Sequence, residues 1–419
     1  MPKNQYDYKN QPLIGYHSVI KHKILRDYLK AYIETLTRNV RIDNFKLAVV
    51  DGFAGGGKYR ADWGSETVYG SPINILEACN EAAIKAQSIR LKPFLLDTKF
   101  YFVEEDKAGY QLLNSTLIEK GYAERVNNDS DIYLFNDDFK LKVFEIVDDI
   151  KKRSATARSF FLLDQYGYSD VPFSQINHIF SELPGAEILL TFNVDALLNY
   201  LNEKNLRDFH RNTGFNIEPL LDSGLHNKDT RPHDWRLAAQ AILHKNLING
   251  CFPDGHGHHT TFYIRSTGGH GDYWLVHLSR NITARNVMVD IHWLHGNHFV
   301  HYGSSGLDMY NLRGFNLKAD SDFFGFNADA RTSTLNNLYC QIPKLIHDHH
   351  RDGITFQNLQ IEQANYTPAR SADILEAFQS YDVRREILVM SPDGKLRGSK
   401  TLPKPSDIIL PNPQLHFLI

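Results

Sequence analysis

The chain has 419 residues, so at about 150 residues per domain it predicts two or three domains. Lys plus Arg number 46 and Asp plus Glu 49, with 42 % hydrophobic and 23 % charged residues. This ordinary globular mixture excludes a disordered chain, and the net charge of −3 announces no nucleic-acid partner. No apolar run reaches the ~20 residues of a membrane span. The opening MPKNQYDYKNQPLIGYHSVIKHK has no signal-peptide core, which predicts a cytoplasmic protein. Cys79, Cys251 and Cys340 lie too far apart for a disulfide framework or a cysteine metal site.

Residues 19–36 carry Ile20, Ile24, Leu25, Tyr28, Leu29, Tyr32, Ile33 and Leu36 on one helical stripe, with Lys21, Lys23, Arg26 and Lys30 off it. LAVVDGFAGGG (47–57) reads as a buried strand ending in Asp and a glycine turn. A loop over 58–70 follows, and Ser71-Pro72 predicts a helix start with Ser71 as cap. Strands are predicted at 99–104, 131–135, 159–163 and 187–193, with helices at 106–120, 138–152 and 172–182 between them. Such alternation predicts a doubly covered, mostly parallel α/β sheet. Residues 199–250 read as largely helical. TTFYIRS (260–266) and DYWLVHL (272–278) read as a hairpin that ends the sheet with an antiparallel pair.

The rhythm then changes. Residues 303–334 read as a linker. A helix at 335–350, a short strand at 354–356, helices at 357–364 and 368–380, a hairpin of 385–390 with 395–399, and a strand at 407–410 follow the order of a winged helix. The expected division is 1–302, 303–334 and 335–419.

Four polar signals sit at four strand ends, where ligands meet open α/β sheets. The first is Asp51-Gly52-Phe53-Ala54-Gly55-Gly56-Gly57, whose glycines admit a close backbone approach or simply a tight turn. Its spacing fits neither a phosphate-binding loop nor a dinucleotide fingerprint. Glu104 can accept both hydroxyls of a ribose, while neighbouring Asp106 suits a helix cap. Asn136-Asp137-Asp138 can meet an adenine edge or cap the next helix. Asp164-Gln165-Tyr166-Gly167 ends the fourth strand.

With these segments the chain resembles the S-adenosylmethionine-dependent methyltransferases of Rossmann-like fold and, more narrowly, the three-Cys-motif partner protein family. The resemblance rests on VVDGFAGGGKY with GSP, FYFVEED, FFLLDQYGYSDVP, and YWLVHLSRN with NVMVDIHW. It implies S-adenosylmethionine at Asp51, Gly52, Phe53, Ala54, Gly55, Gly57, Ser71, Glu104 and Asp137. It also implies chemistry at Asp164 and Tyr166, and a partner protein carrying three cysteines. In amine methyltransferases an Asp or Asn at this strand end accepts a hydrogen bond from the target amine, prolines follow, and an aromatic stacks on the base. Here Asp164 and Tyr166 keep the acceptor and the ring, and Gln165 replaces the proline. The expected activity is therefore methyl transfer to an amine of a nucleic acid. The alternative is a binding module that recruits nucleic acid or a partner enzyme without transferring methyl groups.

Two local features complete the reading. Between 384 and 404, Arg384, Arg385, Lys395, Arg397, Lys400 and Lys404 face only Glu386 and Asp393. That basic hairpin suits phosphates, with Arg384, Arg385, Lys395, Arg397 and Lys400 as the predicted contacts. Histidines cluster at His256, His258, His259, His270, His277, His292, His295, His298 and His301. They are expected to line a loop-rich surface or hydrogen-bond within it, with no metal, and Trp274 and Trp293 to pack.

Overall fold

The computed structural model describes residues 8, 12–126, 131–154, 156, 158–165, 170–192, 202–227, 235–264, 273–296, 300–302, 305–307 and 323–413. Its contacts divide it into two units, one of residues 1–257 and 261–291, the other of residues 258–260 and 292–419. No described helix is long and apolar enough to cross a membrane.

The main sheet has seven strands: β1 Asn44–Asp51, β2 Leu95–Val103, β3 Ile132–Phe135, β4 Ser159–Leu163, β5 Ala186–Phe192, β6 His258–Ile264 and β7 Tyr273–Ser279. Their spatial order is 3-2-1-4-5-7-6. The first five run parallel, and β7 lies antiparallel to β5, with Trp274 opposite Phe192 and Ser279 opposite Glu187. The predicted hairpin therefore places its second strand, not its first, against the parallel sheet. Strands buried on both faces read as unbroken apolar runs, which is why Leu47–Val50 and Phe160–Leu163 stood out in the sequence.

Helices α1 (Tyr16–Leu36), α2 (Ser71–Ser88), α3 (Lys107–Glu119), α4 (Phe139–Arg153) and α5 (Phe173–Glu182) belong to this unit. The apolar stripe of α1 is buried from Ile20 to Ile33. Its charged flank meets α2, where Arg26 donates to Glu77 Oε2 at 2.7 Å and pairs with Glu81. Asp106 caps α3 through the N–H groups of Ala108 and Gly109, both at 2.8 Å, and Asp138 caps α4 through Lys140 N–H at 2.8 Å. Ser71 is not a cap. Gly70 holds that place, and Ser71 is the first helical residue, buried. The predicted loop 58–70 is a short hairpin, Lys58–Ala61 with Thr67–Tyr69, joined in parallel by Leu13–Ile14. Strands this short carry too few alternating positions to show in the sequence.

The histidines divide between the two expectations: His256 is exposed, and others are buried. His277 on β7 is fully buried, and its Nε2 lies 3.1 Å from Glu187 Oε2 and 3.0 Å from Tyr28 Oη. Glu187 also accepts from the Tyr28 hydroxyl. His259 and His292 are buried too. Trp274 packs beside Phe192 with centroids 5.7 Å apart, and Trp293 Nε1 donates to Pro368 O at 2.8 Å. Residues 265–272 and 297–299, with His270 and His298, lie outside the described residues.

In the second unit α6 (Ala328–His349) begins within the expected linker, most of which lies outside the described residues. After it come β8 (Ile354–Thr355), α7 (Phe356–Ala364), α8 (Ser371–Ala377), α9 (Tyr381–Glu386), β9 (Ile387–Met390) and β10 (Ile408–Pro411). The sheet order is β8-β10-β9, both contacts antiparallel. Leu338, Ile342, Ile346, Phe356, Phe378 and Ile409 form the core. The predicted 368–380 helix runs only from Ser371 to Ala377, and Ser380 caps the separate α9, which takes the first two residues of the predicted 385–390 strand. Residues 395–399 do not form the predicted strand. They make one bridge, Leu396 to Met390, and β10 takes the place beside β9.

Candidate active site at the carboxyl ends of the sheet

The chain leaves β1 at Asp51 and turns across its neighbours. Gly52 N–H donates to Leu162 O on β4 at 2.9 Å, and Ala54 N–H to Val103 O on β2 at 2.9 Å. Gly55 and Gly57 take φ of 63° and 74°, the left-handed region that favours glycine. The space beside several turn glycines is filled by the chain itself. A Cβ on Gly52 would lie 2.9 Å from the Phe139 ring, and one on Gly57 2.8 Å from Leu113. One on Gly56 would press on Leu112 and on the ring of Tyr8. Close packing thus requires glycine at these positions whatever the turn binds.

Asp51 is fully buried, and its carboxylate accepts from Phe53 N–H at 3.1 Å. Burial pushes its pKa up to about 7; the Ser71 hydroxyl and Phe53 N–H oppose that, and the charges of Asp164 and Glu104 add to it. Glu104 ends β2. Its Oε2 accepts from Gly55 N–H at 2.7 Å and its Oε1 from Asp106 N–H at 2.9 Å. Burial raises its pKa against those two bonds. Asn136 donates to the carbonyls of Glu104 and Glu105 at 2.9 and 3.0 Å, tying the ends of β2 and β3 together. Asp137 accepts from Asp138 N–H at 2.9 Å and lies 3.6 Å from Lys142 Nζ.

Asp164, just past β4, is not a free acceptor. Lys21 of α1 donates from Nζ to Oδ1 at 2.6 Å and to Oδ2 at 2.8 Å. Burial would raise the Asp164 pKa, but the Lys21 ammonium, helped by the Thr191 hydroxyl and His22, outweighs it and holds the carboxyl below its ordinary range. Beside it His22 is buried, which lowers its pKa to about 4. Gln165, in the place of the proline, accepts at Oε1 from Asp170 N–H at 2.9 Å and Val171 N–H at 3.0 Å. It closes the base of the following loop. Tyr166 and Gly167 lie outside the described residues.

The structure thus brings the Ser71 hydroxyl and the charges of Glu104 and Asp164 close enough to act on Asp51. Lys21 and His22 join them unannounced. In the sequence Lys21 is one of several off-stripe lysines, and only the burial of His22 distinguishes that turn of α1.

Two basic residues of the second unit's segment are spent on the fold. Arg384 donates to the carbonyls of Arg397 and Gly398, both at 2.8 Å. Arg397 forks onto buried Asp407 at 2.8 and 3.0 Å. Asp407 lies beyond the 384–404 window, so the charge surplus counted there omits its partner. Arg385 pairs with Glu386 and Lys395 with Asp393, each at 3.0 Å on the surface, and Lys400 is exposed.

No protein-family model matches the chain, and no curated protein does. Among solved structures it is similar to a Legionella pneumophila protein of family DUF519, at 12 % identity over 64 % of this chain and 85 % of that one, TM-score 0.35. A candidate O-methyltransferase from Klebsiella pneumoniae is 10 % identical over 60 % and 79 %, TM-score 0.26. A candidate S-adenosylmethionine-dependent methyltransferase from Methanococcus maripaludis is 9 % identical over 66 % and 95 %, TM-score 0.25. Values this low transfer neither activity nor ligand. The α/β class rests on the strand order and directions themselves.

Proposed function

We propose that the α/β unit binds S-adenosylmethionine and transfers its methyl group, with a nucleic acid as acceptor. The carrying observation is Glu104. Each of its carboxylate oxygens takes one backbone N–H, and each has a further lone pair, so it fits the vicinal hydroxyls of a ribose. Asp51 and the turn through Gly57 would hold the methionine part, with Ser71 supporting Asp51, and Asp137 would meet the adenine. The bound group would supply an electrophilic methyl; the protein supplies in-line placement and a dry surround. On the β4 end alone, Asp164 would orient an amine of the acceptor. The element order of the second unit supports a winged-helix reading, with Arg385, Lys395 and Lys400 turned outward for phosphates. A partner protein of the three-cysteine kind remains part of this proposal.

A second reading has its own support. Asp164 is neutralised by Lys21 and Gln165 is committed to its loop, as in a module that binds without methylating. Calorimetric titration with S-adenosylmethionine tests the first step. Wild type is expected to bind, and Glu104→Ala to bind about 10- to 100-fold more weakly, the worth of charge-assisted hydrogen bonds. Absence of wild-type binding overturns the reading. Binding without transfer of tritium to RNA, DNA or protein favours the module.

A further inference from the structure

The Lys21–Asp164 pair is the site feature that the strand-end pattern did not contain. It joins residues 143 positions apart, and both Asp164 oxygens share the Lys21 ammonium at 2.6 and 2.8 Å. The pair is not sealed: the two side chains keep 12 % and 24 % of their exposure. Two of the three ammonium N–H bonds go to the carboxylate. Among the described residues, no further hydrogen-bond partner takes the third. Each carboxylate oxygen also keeps lone-pair capacity. Next to it, the Nδ1 of buried His22 has no partner among the described residues. With burial lowering its pKa to about 4, His22 adds no second positive charge at neutral pH. The part-exposed pair, with the Tyr273 ring 5.7 Å from Lys21 Nζ, therefore keeps one donor and one acceptor for a further group.

We propose, resting on the methyl-transfer reading, that Lys21 and Asp164 together grip the acceptor group, and that this group is a hydroxyl: the ribose 2′-hydroxyl of RNA. A hydroxyl both accepts and donates, so its lone pair takes the Lys21 N–H while its O–H points to Asp164. An exocyclic amine presents N–H groups and a poor acceptor, so it meets the ammonium donor to donor. Charge argues the same way. Methylating a neutral amine creates a cation beside Lys21, whereas a hydroxyl that gives up its proton gains negative character, which Lys21 stabilises. The oxygen–carbon bond forms as the carbon–sulfur bond breaks, the sulfonium leaves as a neutral thioether, and the hydroxyl proton passes to the Asp164 carboxylate. With a nucleic acid as acceptor, the hydroxyl selects RNA, because the 2′-hydroxyl is what distinguishes it from DNA along the strand.

The test uses full-length wild type, Lys21→Met and Lys21→Arg. Each is titrated with S-adenosylmethionine by calorimetry, then incubated with labelled S-adenosylmethionine and a pool of unmodified random-sequence RNA, or DNA of the same design. Digests are resolved by mass spectrometry into 2′-O-methyl and base-N-methyl nucleosides. The expected results are 2′-O-methyl nucleosides from RNA alone and cofactor affinity in Lys21→Met within about 2-fold of wild type. Transfer by Lys21→Met should fall by about 100-fold or more, the worth of a charge-stabilising donor, with partial rescue in Lys21→Arg. Independently of activity, the preference for RNA over DNA in fluorescence anisotropy should shrink in Lys21→Met. No heat from wild type sinks the methyl-transfer reading itself. Heat followed by N-methyl nucleosides, by no methylated nucleoside, or by full transfer in Lys21→Met overturns only the hydroxyl proposal.

Discussion

Both units bury carboxylates, and they treat them differently. In the α/β unit Asp51 and Glu104 meet mainly backbone N–H groups, and Asp164 meets one lysine. In the second unit Asp373 is gripped by Arg370 at 2.7 and 2.8 Å and by Arg331 at 3.0 Å, and Asp407 is gripped by Arg397. Arginine forks saturate a carboxylate and staple the chain. Single N–H groups and a point-charge lysine leave lone pairs over. The same residue type is thus a clamp in one unit and an unfinished binding surface in the other.

The largest effect that sharpens this contrast concerns Asp51. Its folded pKa is raised to about 7 from 3.8, by burial above all. Below about pH 4 both states are protonated. Between pH 4 and 7 the unfolded chain loses the proton that the folded chain keeps, so stability falls with rising pH and levels off above 7. At ~1.4 kcal/mol per pKa unit the total is about 4 kcal/mol. Asp51→Asn removes that cost. Its thermal midpoint should exceed that of wild type at pH 8 and match it near pH 4, while cofactor affinity drops. Equal midpoints at pH 8 would mean the carboxylate is comfortably ionised there.

Asp373 should behave oppositely. Asp373→Ala takes a buried carboxylate from two part-exposed arginines, of which Arg331 keeps Glu376, and is expected to destabilise the second unit by about 2 kcal/mol, read by urea unfolding. An unchanged midpoint would dissolve the contrast. The smallest structural effect is expected from the combined change Arg385→Ala, Lys395→Ala and Lys400→Ala, which should leave the melting curve nearly unmoved. It should still weaken binding to an RNA oligonucleotide and lower the slope of log K against log salt, by about 0.9 or less per lost phosphate contact. A constant slope would assign this edge to protein contacts.

Much of the fold was legible. The apolar runs at 47–50 and 159–163 and the helical stripes between strands follow from burial on two faces or on one. Asp106 and Asp138 were readable as caps because a cap depends on residues two and three positions away. Two pairings of the basic window were hidden for the opposite reason. Arg397 finds Asp407 and Arg384 finds carbonyls only once the segment has folded back on itself.

The sequence alone determined that acids would stand at the carboxyl ends of a parallel sheet, since Asp51, Glu104, Asp137 and Asp164 each come at or just after the end of a strand-like run. Tertiary structure alone decided which of them remain available. Glycines that looked open are packed against Phe139 and Leu113, and the proline-replacing Gln165 is tied into its own loop. Asp164 is held by a lysine from the first helix. Local patterns reach only a few residues along the chain. A charge pair between positions 21 and 164 exists only when packing has brought α1 across the end of β4.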